Sequence, residues 1–151
     1  MIGDATVAHD RQLRQLIYAK FADGERPTAK EFAQVLGTPV HAVLDGFQRL
    51  AAARALVLQP DGEILMAEPF SAVPTAFSVR SGNARWWGNC IWDGLGIAAM
   101  LRLSAELETA CHCCGLRLRV EIENGARVAS GAGVAHFVVP AARWWDHVVF
   151  T

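Results

Sequence analysis

The chain has 151 residues, of which 52% are hydrophobic and 19% charged, and its formal net charge is −1. This is a globular composition that excludes intrinsic disorder, and the near-zero charge gives no global attraction to nucleic acid or to an acidic membrane. No apolar run approaches the roughly 20 residues of a membrane span, and Met1-Ile2-Gly3-Asp4-Ala5-Thr6 has no basic region or apolar signal core, so a cytoplasmic location is expected.

Residues 1–9 read as a frayed lead-in. From Asp10, the residues Leu13, Leu16, Ile17, Tyr18 and Phe21 fall on one side of a helix that Gly24 closes. Thr28 caps a second helix, with Glu31 completing a capping box, Phe32, Val35 and Leu36 as its apolar side, and Gly37 ending it. Thr38-Pro39 opens a third, whose inner stripe is Val40, Val43, Leu44, Phe47, Leu50 and Ala51. Leu56-Val57-Leu58, the turn Gln59-Pro60-Asp61-Gly62, and Ile64-Leu65-Met66 then form a hairpin signal. Three helices and a hairpin outline a winged helix-turn-helix-like module. Its third helix starts with the apolar Val40-His41-Ala42-Val43, which disfavours base reading, so a packing role is preferred and DNA binding is not expected.

The two-proline stretch 67–76 reads as a linker. It gives a division into a winged-helix-like module, residues 1–68, and a thiol-bearing sheet domain, residues 69–151. In the latter, Phe77–Arg80 and Ala84–Trp87 read as strands around the turn Ser81-Gly82-Asn83. Further strands are expected at 105–109, 116–122, 127–129 and 136–139, with turns at Asn124-Gly125 and Gly131-Ala132-Gly133, and a helix or turn from Pro140. Leu116, Leu118, Val120 and Ile122 alternate with Arg117, Arg119, Glu121 and Glu123, which puts one face on a core and one in water. The fold class is therefore α+β, a winged-helix-like module packed on a small, mainly antiparallel sheet domain.

Two groups of side chains carry chemistry. In Gly88-Asn89-Cys90-Ile91-Trp92-Asp93, Asn89 is placed as N-cap of a helix running to Leu101, with Cys90 in its first turn. Backbone N–H groups and the helix dipole there favour a thiolate, and Asp93, three residues on, shares its face. Cys-x-x-Asp reads either as a reactive thiol–carboxyl pair or as a buried cysteine beside an acid that suits the dipole. Cys111-His112-Cys113-Cys114-Gly115 resembles a metal knuckle. Structural zinc would need Cys90 and one of His136 or His147 to complete four ligands. The alternatives are a packed thiol-rich turn or a place where thiolates receive a soft metal.

Beyond these groups, Pro69-Phe70-Ser71, Val79-Arg80, the Trp86-to-Ile97 block, the Cys111 turn and Trp144-Trp145-Asp146-His147-Val148-Val149-Phe150 together resemble the organomercurial (alkylmercury) lyases. The resemblance implies a sheet domain of that type and cleavage of the carbon–mercury bond to a hydrocarbon and Hg(II), without an organic cofactor. It implies a mercury-binding thiolate at Cys90 and a proton donor at Asp93; Trp86, Trp87 and Trp92 read either as walls of that pocket or as ordinary core, with core the preferred role for at least two of the three. An organomercurial is the implied substrate, and small thiols or mercuric reductase are the implied acceptors of bound Hg(II). The family's second cysteine is expected in a strand just after the segment resembling Trp144 to Phe150, about where this chain ends. The expectation is a chain cut short there or a divergent member with one of the two thiols, with Cys111, Cys113 or Cys114 as substitutes. The sheet edge left open favours truncation or homodimerisation across it. Competing readings are a soft-metal binder, a DNA-binding metal sensor using Cys90, Cys111, Cys113 and Cys114, and a zinc-stapled scaffold.

Overall fold

The computed structural model describes residues 4–131 and 133–146. The chain divides into two compact units at Val73/Pro74. The first holds helices α1 (Asp4–Ala22), α2 (Ala29–Leu36) and α3 (Val40–Ala52), and an antiparallel sheet of β1 (Val57–Leu58), β2 (Ile64–Ala67) and β3 (Phe70–Ser71) in that order. Leu13, Ile17 and Phe21 of α1, Phe32 of α2, and Val43, Phe47 and Leu50 of α3 are buried together with Ile64 and Met66. Thr28 caps α2 in the expected reciprocal box with Glu31, and Gly37 closes it in the left-handed region.

Three expectations need correction here. The supposed lead-in is helical from Asp4. Neither Gly nor Pro interrupts residues 4–9, but their one large apolar side chain, Val7, is 47% exposed, so the helix begins before its core-facing pattern does. Val35, placed on the inner side of α2, is 63% exposed. The stretch after Met66 is also more than a linker. Phe70 is 1% exposed and stacks on Phe21 at a centroid distance of 5.6 Å, while the Tyr18 hydroxyl donates to the Glu68 carbonyl at 3.0 Å. Those contacts tie β3 to the first unit and carry the division past residue 68, to Val73.

The second unit is a five-stranded antiparallel sheet with one helix. Its strands are β4 (Phe77–Ser81), β5 (Ala84–Gly88), β6 (Ala105–Ala110), β7 (Arg117–Glu123) and β8 (Arg127–Ser130), ordered β5-β4-β6-β7-β8; α4 (Ile91–Leu101) follows β5. Period-two alternation sorts the faces. Trp86 pairs with Val79, Val79 with Leu107, and Leu107 with Val120, so one apolar row crosses four strands. Trp86, Val79 and Leu107 are buried with Ile97 and Ala98 of α4. The opposite face carries Arg80 on Glu106 at 2.7 Å, and Arg119 on Glu106 and Glu108 at 3.0 and 3.2 Å. Such exposed cross-strand pairs fix register more than they stabilise.

The strand expected over residues 136–139 is absent among the described residues. Phe137 instead packs on Trp144 at 5.2 Å, and Trp144 Nε1 donates to the Val139 carbonyl at 2.8 Å, so the segment folds against the short 3₁₀ turn Ala141–Asp146. Residues His147 to Thr151, including most of the second half of the Trp144 block, lie outside the described residues.

Gly88 joins β5 to α4 at a close approach to the backbone of the helix start. A Cβ there would lie 2.7 Å from Gly94 N and 2.9 Å from Asp93 Cβ. Neither atom is the free end of a side chain, so the clash must move the start of α4. Gly88→Ala should lower stability by about 1–3 kcal/mol, the usual penalty of overpacking. Urea unfolding of the two proteins checks this; an unchanged midpoint would contradict the close packing.

Candidate active site

The thiol–carboxyl pair sits where β5 hands over to α4. Thr75 Oγ1 donates a short hydrogen bond to the Gly88 carbonyl and accepts one from Phe77 N at 3.1 Å, fixing the end of β5 from the side. The backbone of Cys90 is extended, with φ −143° and ψ −179°, and helical geometry starts at Ile91. Cys90, not Asn89, is therefore the N-cap. It takes the place that Ser or Thr fills in a capping box: its side chain faces the Asp93 N–H, and the Asp93 carboxylate reaches back. Asp93 Oδ2 accepts from Asn89 N at 3.0 Å and from Cys90 N at 3.3 Å. The box absorbs the otherwise unpaired donors of the helix start and locks sulfur and carboxyl together.

Burial sets the proton affinities. Asp93 is 7% exposed, one of two buried polar side chains among the described residues. Burial raises its pKa, against the pull of the Asn89 and Cys90 N–H groups and the Cys90 thiol. Cys90 is half-buried, and its thiol is also pushed up, first by burial and then by the Asp93 charge, against the backbone N–H groups of Asp93 and Trp92. The expected thiolate at the helix start is thus reversed. The helix field is present, but desolvation beside a carboxylate outweighs it.

Of the three tryptophans, Trp86 takes the preferred core role, Trp87 is half-buried and Trp92 is exposed. Trp86 is buried in the sheet core at 6% exposure. Trp92 is 61% exposed, and lines an open apolar groove of about 310 Å³ with Leu95 and Ala99 of α4 and Ile122 and Val128 of the sheet. It lies on the side of α4 away from the buried Asp93, Gly94 and Ile97.

The remaining cysteines gather at the β6–β7 turn. The thiol sulfurs of Cys111, Cys113 and Cys114 all lie within 4.8 Å of one another, with Cys111 and Cys113 at 3.2 Å. Among the described residues neither Cys90 nor His136 joins this group, and His147 lies outside them, so the four-ligand zinc set built on Cys90 is not assembled. A closed structural zinc site wants four ligands, and three are brought together here. The Cys111 thiol is drawn down to about 7 by the Cys113 thiol and by the N–H groups of Cys113 and Cys114, while Cys113 is pushed up by its neighbour Cys111. Sequence reasoning missed Thr75, although Pro74-Thr75 before a strand is a turn signal that could have found it.

A cysteine that caps a helix and is hydrogen-bonded to a buried carboxyl forms a thiol–carboxyl pair on an antiparallel α+β domain. The alkylmercury lyase (MerB) family model matches residues 70–151, more than half of the chain and the whole of this site. The chain belongs to the alkylmercury lyase family. Among solved structures it resembles the mercury-bound form of MerB2, with a TM-score of 0.65 and 20% sequence identity. That likeness covers 81% of this chain and 59% of the other, so the chain spans about three fifths of that structure's length. No curated protein sequence matches it.

Two outcomes test the electrostatics. The thiolate is the alkylating species, so iodoacetamide labelling followed by peptide mass spectrometry should show Cys111 half-activated near pH about 7. Cys90 should need pH above the ordinary thiol value of 9.0. Equal profiles would contradict the contrast. Asp93 binds its proton more tightly folded than unfolded, so its contribution to stability is full below the ordinary Asp pKa of 3.8 and is lost as pH rises through the raised value. Asp93→Asn keeps an acceptor and removes the titration. It should gain stability relative to the parent as pH rises from about 4 to about 7, read as urea midpoints; a parent that gains instead would overturn the sign.

Proposed function

We propose that this chain cleaves carbon–mercury bonds by protonolysis, with Cys90 as the mercury-binding thiolate and Asp93 as the proton donor. The observation that carries the reading is the hydrogen-bonded pair itself: a half-buried thiol against a carboxyl that is 7% exposed and held above its ordinary pKa. Family membership supports the reaction class.

The steps balance on these two groups. The Cys90 thiol gives its proton to the Asp93 carboxylate as sulfur displaces the counter-ligand of R–Hg⁺, forming an S–Hg bond. A thiol in a buried site is poorly ionised alone, so an adjacent base is what lets it act at neutral pH. A second thiolate, supplied by a small thiol from solution, adds to mercury and pushes electron density onto carbon. Asp93 then returns the proton to that carbon as general acid. The C–Hg electron pair becomes the C–H bond, the hydrocarbon leaves, and Hg(II) stays on sulfur. No electron is gained or lost overall. Burial serves both halves of the cycle, because it makes the carboxylate a stronger base for the thiol and keeps its acid form available. The Hg(II) product then passes to small thiols or to mercuric reductase.

In the same reading, the three helices and three-stranded sheet of the first unit are a winged helix-turn-helix-type module without a DNA role. Arg49, a cation of its third helix, is held by Asp10 at 2.7 and 2.8 Å and so is engaged within the unit.

The test is single-turnover release of benzene from phenylmercury in excess small thiol. The parent should release hydrocarbon. Cys90→Ala should neither capture the substrate nor turn it over, and Asp93→Asn should capture phenylmercury and lose at least about a hundredfold in rate, the lower range for removing a general acid. Benzene release at the parent rate by either variant would sink the assignment, and mercury capture by the parent without benzene would sink the activity.

A further inference from the structure

We propose that Cys111, Cys113 and Cys114 form a second metal site on this chain, a three-thiolate cradle for a soft, thiophilic cation, separate from the Cys90–Asp93 pair. The proposal stands on the turn's geometry and does not depend on the lyase reading.

The turn between β6 and β7 is a closed loop. Ala110 pairs with Arg117 as the last rung of the ladder. Cys111 N donates to the Leu116 carbonyl at 2.8 Å, and Gly115 N donates to the Cys111 carbonyl at 2.8 Å. Gly115 has φ +71°, a left-handed turn that a residue with a side chain rarely adopts, and a Cβ there would meet nothing. This loop folds the chain back around the Cys111 sulfur, so the N–H groups of Cys113 and Cys114 point at it. Such N–H donors stabilise negative sulfur in whichever form it is held, free or bound to metal.

The sulfur spacing fits an ion. Three thiolates around a cation at about 2.3 Å place their sulfurs about 4.0 Å apart in a trigonal plane. The three Sγ atoms already lie within 4.8 Å of one another, so assembly at that zinc-like bond length needs the Cys111–Cys113 pair, now at 3.2 Å, to open by about 1 Å, and slightly more for a larger cation. That separation is also far too long for a disulfide, whose sulfurs bond at about 2.05 Å. Cys113 and Cys114 are exposed and Cys111 half-buried, so an ion reaches the site directly from solvent. The donor set is all sulfur, which selects soft cations over Mg²⁺ or Ca²⁺. Three ligands suit a trigonal cation such as Cd(II) or three-coordinate Hg(II) better than a closed four-ligand zinc site. On binding, three thiols release their protons to solvent as three metal–sulfur bonds form.

Cd(II) is the discriminating probe, because Hg(II) binds strongly to two thiolates and would mask the loss of a third. In the full chain carrying Cys90→Ala, kept reduced with a non-thiol phosphine, one Cd(II) should bind with a sulfur-to-metal charge-transfer band and a three-sulfur cadmium NMR shift. Iodoacetamide should then find the three thiols of the turn protected. Cys111→Ser, Cys113→Ser and Cys114→Ser, each in that background, should weaken Cd(II) binding at least tenfold while leaving the urea midpoint unchanged. Absence of the charge-transfer band would overturn the proposal. So would full affinity in any one of the three Ser variants, which would mean that two sulfurs suffice.

Discussion

The capping box between Cys90 and Asp93 is the constraint on which the second unit's chemistry depends. A helix start leaves N–H groups that must be paired, and here one Asp93 carboxyl oxygen takes that of the capping Cys90 together with that of Asn89 just before the helix. That duty fixes the Asp93 rotamer, and the reciprocal contact fixes the Cys90 side chain. The same three-residue spacing therefore serves a structural need and a chemical one. The glycine at the end of β5 follows from it. Asp93 and Gly94 come so near Gly88 that no side chain fits there, and Thr75 holds the Gly88 carbonyl from the other side.

Two influences compete for the Cys90 proton. Helix N-termini and backbone donors lower a thiol's pKa, and each pKa unit is worth about 1.36 kcal/mol. Burial and the neighbouring carboxylate act the other way, and they win. The result is a thiol kept neutral until a base beside it takes the proton. At the Cys111 turn the neighbouring Cys113 thiol comes first and the backbone N–H groups of Cys113 and Cys114 add to it, and the Cys111 thiol is drawn down to about 7. The two half-buried thiols differ in their neighbours as well as their desolvation: Cys90 faces a carboxylate that opposes its ionisation, whereas Cys111 faces a thiol that donates to it.

Much of this was legible from sequence because it is local. The Thr28–Glu31 capping box, the hairpin turn at residues 59–62 in the first unit, and the alternation along residues 117–123 in the second each read from spacing alone. The nearness of Cys90 to Asp93 at the start of a helix was legible the same way. The misses are places where a contact distant in sequence decided the outcome. Phe70 is drawn into a strand by Phe21, some fifty positions earlier, and no turn signal announces that. Phe137 and Val139 carry β propensity, but Trp144 captures them before an edge strand does. The thiolate expectation failed for a related reason. Spacing reports the helix donors, whereas desolvation depends on what the fold packs around the sulfur.

The distribution of cysteines also bears on how such a domain avoids poisoning itself. Three thiols share one turn, Cys113 and Cys114 exposed and Cys111 half-buried, yet they lie outside the thiol–carboxyl pair and, among the described residues, lack a carboxyl in their group. A cation caught there meets ligands without an acid to protonate its carbon. A cation caught at Cys90 meets both. Soft-metal affinity alone therefore does not define the site. Among the described residues Cys90 is held beside a buried carboxyl because it caps a helix whose third residue is aspartate, and the reading of Cys90 as reactive rests on that carboxyl.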